Sequence, residues 1–213
     1  MHVDSAHSKS HRQSEFTPMN LDYPSFWKTA SSKRKRIYLV ILFFVVAILV
    51  TIAGTFVPLS QSESQQLVNG VQSETNQTSV ALAVNIFSHN FEICLAMFIP
   101  IFGAVFGLFV MFSTGIALGA EIRVETAPGY QSATTPAFSA QTAILALVAI
   151  GAVFALEYVS YSTGMSESLW LFRRIQQRRW RHEIKNLLIL IGIVAAILAI
   201  SAVIETLTIK AGF

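Results

Sequence analysis

Two carboxylates stand where soluble-protein logic would not put them. Glu157 closes the apolar run 140–156, and Glu205 lies near the end of the last apolar run, Leu187 to Thr206. A carboxylate in hydrocarbon costs several kcal/mol unless it is paired, protonated or wet, so an intramembrane acid is a functional candidate by default. The chemistry they could carry is that of a polar path through a membrane. On a helix, Ser160, Tyr161 and Gly164 follow Glu157 at i+3, i+4 and i+7, and Glu205 has Ser201 at i−4 and Thr208 at i+3. The competing reading puts both acids at the membrane interface, where the cost falls steeply. Asn90, in His89-Asn90-Phe91-Glu92, is the third polar candidate. Its residue type suits an N-cap opening a span, with Glu92 then in the first turn, where negative charge suits the helix dipole.

Other chemistry is missing from the sequence. There is no Gly-x-Ser-x-Gly elbow, His-Glu-x-x-His pair or phosphate-binding Gly-rich loop, so neither a nucleophilic enzyme nor a zinc hydrolase is expected. The single cysteine, Cys94, lies in an apolar run, and three of the five histidines (His2, His7, His11) are scattered through the polar N-terminus. No disulfide framework, metal site or cofactor is expected.

The elements that hold these residues are written in the composition. Of 213 residues, 53% are hydrophobic and 13% charged, against roughly 25% charged in soluble domains. The mean hydropathy is +0.56. An all-α, polytopic transmembrane bundle of four to five spans follows. About 20 apolar residues at 1.5 Å each cross a hydrocarbon core of ~30 Å. Residues 1–32 read as a disordered or interfacial tail, and 33–213 as the transmembrane domain. Its expected spans are 37–57, 91–112, a short return segment 113–120, 139–165 and 187–208. The stretch 59–80 reads as a loop rich in Ser, Gln and Asn, and it carries Asn76-Gln77-Thr78, a glycosylation acceptor pattern.

The placement of the 15 Lys and Arg sets the topology. Seven lie in residues 1–36, and six form the basic segment Arg173, Arg174, Arg178, Arg179, Arg181 and Lys185. Both clusters flank apolar spans, so they read as topological signals facing anionic lipid or a cytoplasmic partner, and not as a nucleic-acid surface. Cytoplasmic placement of both requires an odd number of crossings between 59–80 and 173. Breaking the run Ile93–Ala120 near Ser113-Thr114 supplies it and gives five crossings. Four crossings, with the basic segment outside, is the alternative. Within that run, Gly103, Gly107, Gly115 and Gly119 form two Gly-x-x-x-Gly pairs, which let a second backbone approach closely. They serve packing within the chain or a homodimer contact.

Four places together resemble the stage II sporulation protein M family of integral membrane proteins, across about residues 33–210. They are the basic-flanked first span, Asn90 leading to the spaced glycines, Glu157 with Gly164, and Ala202 with Glu205 in "LAISAVIETLTI". The family commonly has Pro-His-Gly before its central Glu, where this chain has Ala152, Val153 and Phe154; it often has Asn before the closing Gly-x-x-x-Gly, where this chain has Thr114. The resemblance implies a non-enzymatic scaffold in the cell membrane, since the sporulation member holds two cell-wall hydrolases during engulfment. The expected partners are the lipid bilayer and other membrane subunits or further copies of the chain. The rival expectation is a permease-like subunit, with Glu157 and Glu205 lining a polar path. A shared cavity for the two acids would favour transport, and interfacial positions the scaffold.

Overall fold

The structure, a computed structural model, describes residues 25, 29–73, 77–127, 140–178, 181 and 183–212. Most of the expected tail 1–32 (residues 1–24 and 26–28), the acceptor Asn76, and Arg179 lie outside the described residues. Among the described residues the architecture is all-helical: α1 Ser32–Thr55, α2 Gln61–Ser73, α3 Ser79–Ala96, α4 Phe102–Glu125, α5 Ala140–Gln176 and α6 Ile184–Lys210. All but α2 are long and apolar enough to cross a bilayer.

Along α1 and α4, which are apolar on most sides, the packed face carries mostly small residues and the lipid-facing one mostly large residues. On α1 the buried stripe is Phe43, Ala47, Thr51 and Gly54, while Ile41, Leu42, Leu49 and Ile52 face outward. Small inward residues let backbones come close, which is how helices associate when lipid is as apolar as the side chains. Gly115 shows the limit: a Cβ there would lie 2.0 Å from the carbonyl oxygen of Thr51.

Contacts fix the direction of each span. Thr51 meets Met111, and further along both helices Arg123 reaches the carbonyl of Thr55, so α1 and α4 run parallel. Tyr158 meets Thr51 while Glu167 meets Arg36, so α5 runs against α1. Asn90 with Glu157, then Cys94 with Ser160, align α3 with α5. Ser201 with Val153, and Glu183 with Arg174, set α6 against α5. The five spans among the described residues therefore alternate in direction along the chain. The described residues of the basic stretches 33–36 and 173–185 share one end with the 97–101 turn, and α2 shares the other with the end of α6.

The count agrees with five crossings, but the break lies elsewhere. The expected return segment 113–120 is the middle of α4, unbroken from Phe102 to Glu125. Thr114 donates to the carbonyl of Val110, so its hydroxyl is satisfied within the helix and creates no end there. The chain turns at 97–101, where Pro100 has no N–H to continue a helix. Ile101 adopts φ 66 and ψ −57, and Phe102 N–H donates to the carbonyl of Pro100 at 2.8 Å, a γ-turn of the rare, strained kind. Ser168 of α5 anchors the turn by donating to the carbonyl of Ile99 at 2.7 Å.

The span expected at 91–112 is thus two helices, and the first begins at Ser79, capped by Thr78, whose hydroxyl accepts from Ala81 N–H. The N-cap role of Asn90 is overturned: it lies in the body of α3. The loop expected at 59–80 contains α2. Its N-terminus is a reciprocal cap: Glu63 accepts from the backbone N–H of Ser60, and Ser60 Oγ accepts from that of Glu63. The fourth span is longer than expected, 37 residues.

Candidate functional site

Three helices bring one acid each to a single cavity in the half of the bundle away from the basic end. It measures about 410 Å³. Glu121 comes from α4, Glu157 from α5 and Glu205 from α6, with the hydroxyls of Thr114 and Thr208 beside them. Val153, Phe154 and Leu118 form much of the apolar wall, and Leu67 and Val68 of α2 complete it from outside the spans.

Glu157 is at the midpoint of α5, and the helix continues for five turns past it. At that depth the carboxyl group needs a partner, and Asn90 supplies one. Its side-chain amide donates to Glu157 Oε1 at 2.7 Å. The parallel alignment of α3 and α5 makes this pair, and the signal for it in the sequence was a polar Asn ahead of an apolar stretch. Glu205 is in the last two turns of α6, closer to the bundle's end. One of its oxygens, Oε2, is buried with no hydrogen-bond partner among the described residues. Nearby hydroxyls are taken: Thr208 donates to Ile204 and Ser201 to Val153.

Towards the basic end the cavity is closed. Tyr158 is buried and hydrogen-bonded to Thr51 at 2.7 Å, and Thr51 also donates to the carbonyl of Met111. Beyond that layer lie Met97, Met111, Met165 and Cys94, each at most 1% exposed. The arrangement is a chamber lined by three acids and two threonines within an otherwise apolar wall, with the Tyr158–Thr51 layer on its basic-end side.

The four glycines face different neighbours. Gly103 abuts the backbone of Met97 at the turn, Gly107 meets the side chain of Met165 on α5, and Gly115 and Gly119 press on Thr51 and Thr55 of α1. All four close approaches are within the chain. Among the described residues, no group of three or more His, Cys, Asp or Glu side chains is placed to hold a metal ion.

The basic cluster divides. Arg173, Arg178, Arg181 and Lys185 are exposed. Arg174 is drawn inward, pairing with Glu183 at 2.9 Å. Arg36 of α1 also pairs with Glu183 and lies 3.5 Å from Glu167. Both guanidinium groups also lie over the Trp170 ring, each 4.9 Å from its centroid, so two cation–π contacts share one indole. Residue-by-residue reading missed Glu121, Glu167, Glu183 and Arg36. Their polar partners lie up to 147 positions away, so no local pattern marks them.

A family model described as Stage II sporulation protein M matches residues 39–208, which include Asn90, Glu121, Glu157 and Glu205. A search of curated proteins gave no match, and neither did a search of solved structures.

Proposed function

Since this chain belongs to the stage II sporulation protein M family, we propose that this multi-pass membrane protein is a non-enzymatic, permease-like subunit. Its working site is the acidic cavity, which takes up protons or small cations from the side opposite the basic clusters. The observation that carries the reading is that Glu121, Glu157 and Glu205, from three separate helices, line one chamber. An acid that faces a cavity from the middle of its span, as Glu157 does, is the usual mark of an ion or proton route. The seal at Tyr158 and Thr51 is the layer that would have to part for passage. The positive-inside rule supports a cytoplasmic N-terminus in the cell membrane, so the cavity faces outward.

The test is flux. Protein purified from its native membrane with its co-purifying subunits is reconstituted in vesicles, and proton and potassium entry are followed with internal dyes. The expected result is entry above that of empty vesicles, lowered by about tenfold or more by Glu157→Gln. No entry for either ion would sink the transport reading.

A second reading keeps the scaffold role. It is supported by α2, whose outward face exposes Gln61, Gln65 and Gln66, a polar surface suited to an extracytoplasmic protein partner. Mass spectrometry of the native purification separates the two readings. A stoichiometric partner lost when these three glutamines become lysines favours the scaffold.

A further inference from the structure

At the basic end, α1 and α6 stand apart, bridged by the Arg36–Glu183 pair, with α5 between them. The gap is a groove of about 540 Å³. Its walls are apolar and face the bilayer: Val40 and Ile41 on one side, Ile189 and Leu190 on the other. Its mouth holds Lys33, Arg36 and Arg174.

We propose that this groove seats one anionic phospholipid, its phosphate at the charged mouth and an acyl chain along the apolar walls. Three observations converge on that occupant. The first is shape, because the groove passes from a charged ring into hydrocarbon, as a lipid does. The second is charge. Glu167 and Glu183 are engaged by Arg36 and Arg174, which leaves the exposed Lys33 to supply the excess positive charge. The third is an orphan donor. Trp170 lines the groove at 7% exposure, and its indole N–H, which can only donate, has no acceptor among the described residues. A phosphate oxygen is the acceptor that would complete it, reached by a small shift of the flanking arginines. A soluble anion would leave the apolar walls unused.

The inference rests on the five spans and not on transport, so it can fail or hold independently of the flux result. Its test uses Trp170 as the reporter, in full-length protein carrying Trp27→Phe and Trp180→Phe. The protein is placed in phosphatidylcholine vesicles with a small share of either brominated phosphatidylglycerol or brominated phosphatidylcholine. The expected result is saturable quenching that favours phosphatidylglycerol by about fivefold, the worth of one basic residue at an anionic lipid. Lys33→Ala, which removes an exposed side chain and leaves the ion pairs intact, should erase most of that preference. Equal quenching by the two lipids, or a preference untouched by Lys33→Ala, would overturn the proposal. Relief of quenching by inorganic phosphate alone would also overturn it, by assigning the mouth to a soluble anion.

Discussion

Asn90 and Glu157 are the pair on which the cavity's character depends, and they can be separated by substitution. Glu157→Gln retains an oxygen to accept from Asn90, so the fold should persist, with thermal unfolding in detergent little changed. Flux should fall by about tenfold or more, which is ~1.4 kcal/mol in the barrier. Asn90→Leu does the reverse: it strands the carboxyl group and should destabilise the protein by about 1–3 kcal/mol. A Glu157→Gln variant with full flux would show that the acid is only structural. At the surface, Glu63 offers a pH test. Its hydrogen bonds from Ser60 hold its carboxyl below the usual carboxylate range. A depressed folded-state value means the reciprocal cap contributes fully above the ordinary pKa and is lost as pH falls through the lowered one. Hydrogen exchange in α2 should therefore accelerate in acid, and Glu63→Gln should remove most of that dependence. Glu157 and Glu205 were visible in the sequence as acids in apolar surroundings. Glu121 was not, because it follows the run 93–120 directly and reads as an interfacial charge; it stays exposed in the fold, and only the approach of α5 and α6 makes it part of the cavity lining.

Among the elements, α1 and α4 approach closely enough at Gly115 to make a sharp prediction. Gly115→Leu must push α4 off the backbone of Thr51 and should cost about 1–3 kcal/mol or more. Gly151→Leu and Gly192→Leu, at positions open to lipid, should be near neutral in the same unfolding measurement. Equal effects at all three would mean that α1 and α4 do not pack through Gly115. The glycine spacing was legible in the sequence, and so were five spans. The start of α3 was hidden because Asn85, Ser88, His89 and Asn90 lower the apolar signal through its middle, and its window averages a hydropathy of only 1.3. The misplaced break has a physical cause as well. Ser113-Thr114 looked like a polar interruption, yet a threonine that bonds back to its own helix interrupts nothing. Pro100, which cannot donate, was the stronger signal.

At the scale of the whole molecule, five alternating spans place 33–36 and 173–185 at one end and the acidic cavity towards the other. In a Cys94→Ser background, single cysteines at Ser31 and Lys185 should label from one side of the membrane, and one at Ala211 from the opposite side. Labelling of Lys185 and Ala211 from the same side would refute the alternation. Whether the acidic cavity opens to water can be read from a cysteine at Ala117, which lines it. With Cys94→Ser, the Ala117→Cys thiol is exposed to membrane-impermeant thiosulfonates carrying a positive or a negative charge. The cavity's three acids predict reaction with both, faster for the cation by about tenfold, and a ratio that shrinks with Glu157→Gln and Glu205→Gln. A cysteine at lipid-facing Ile200 should stay unreactive. If Ala117→Cys is equally inert, or reacts with both charges at the same rate whatever the acids, the chamber is not a water-filled acidic site.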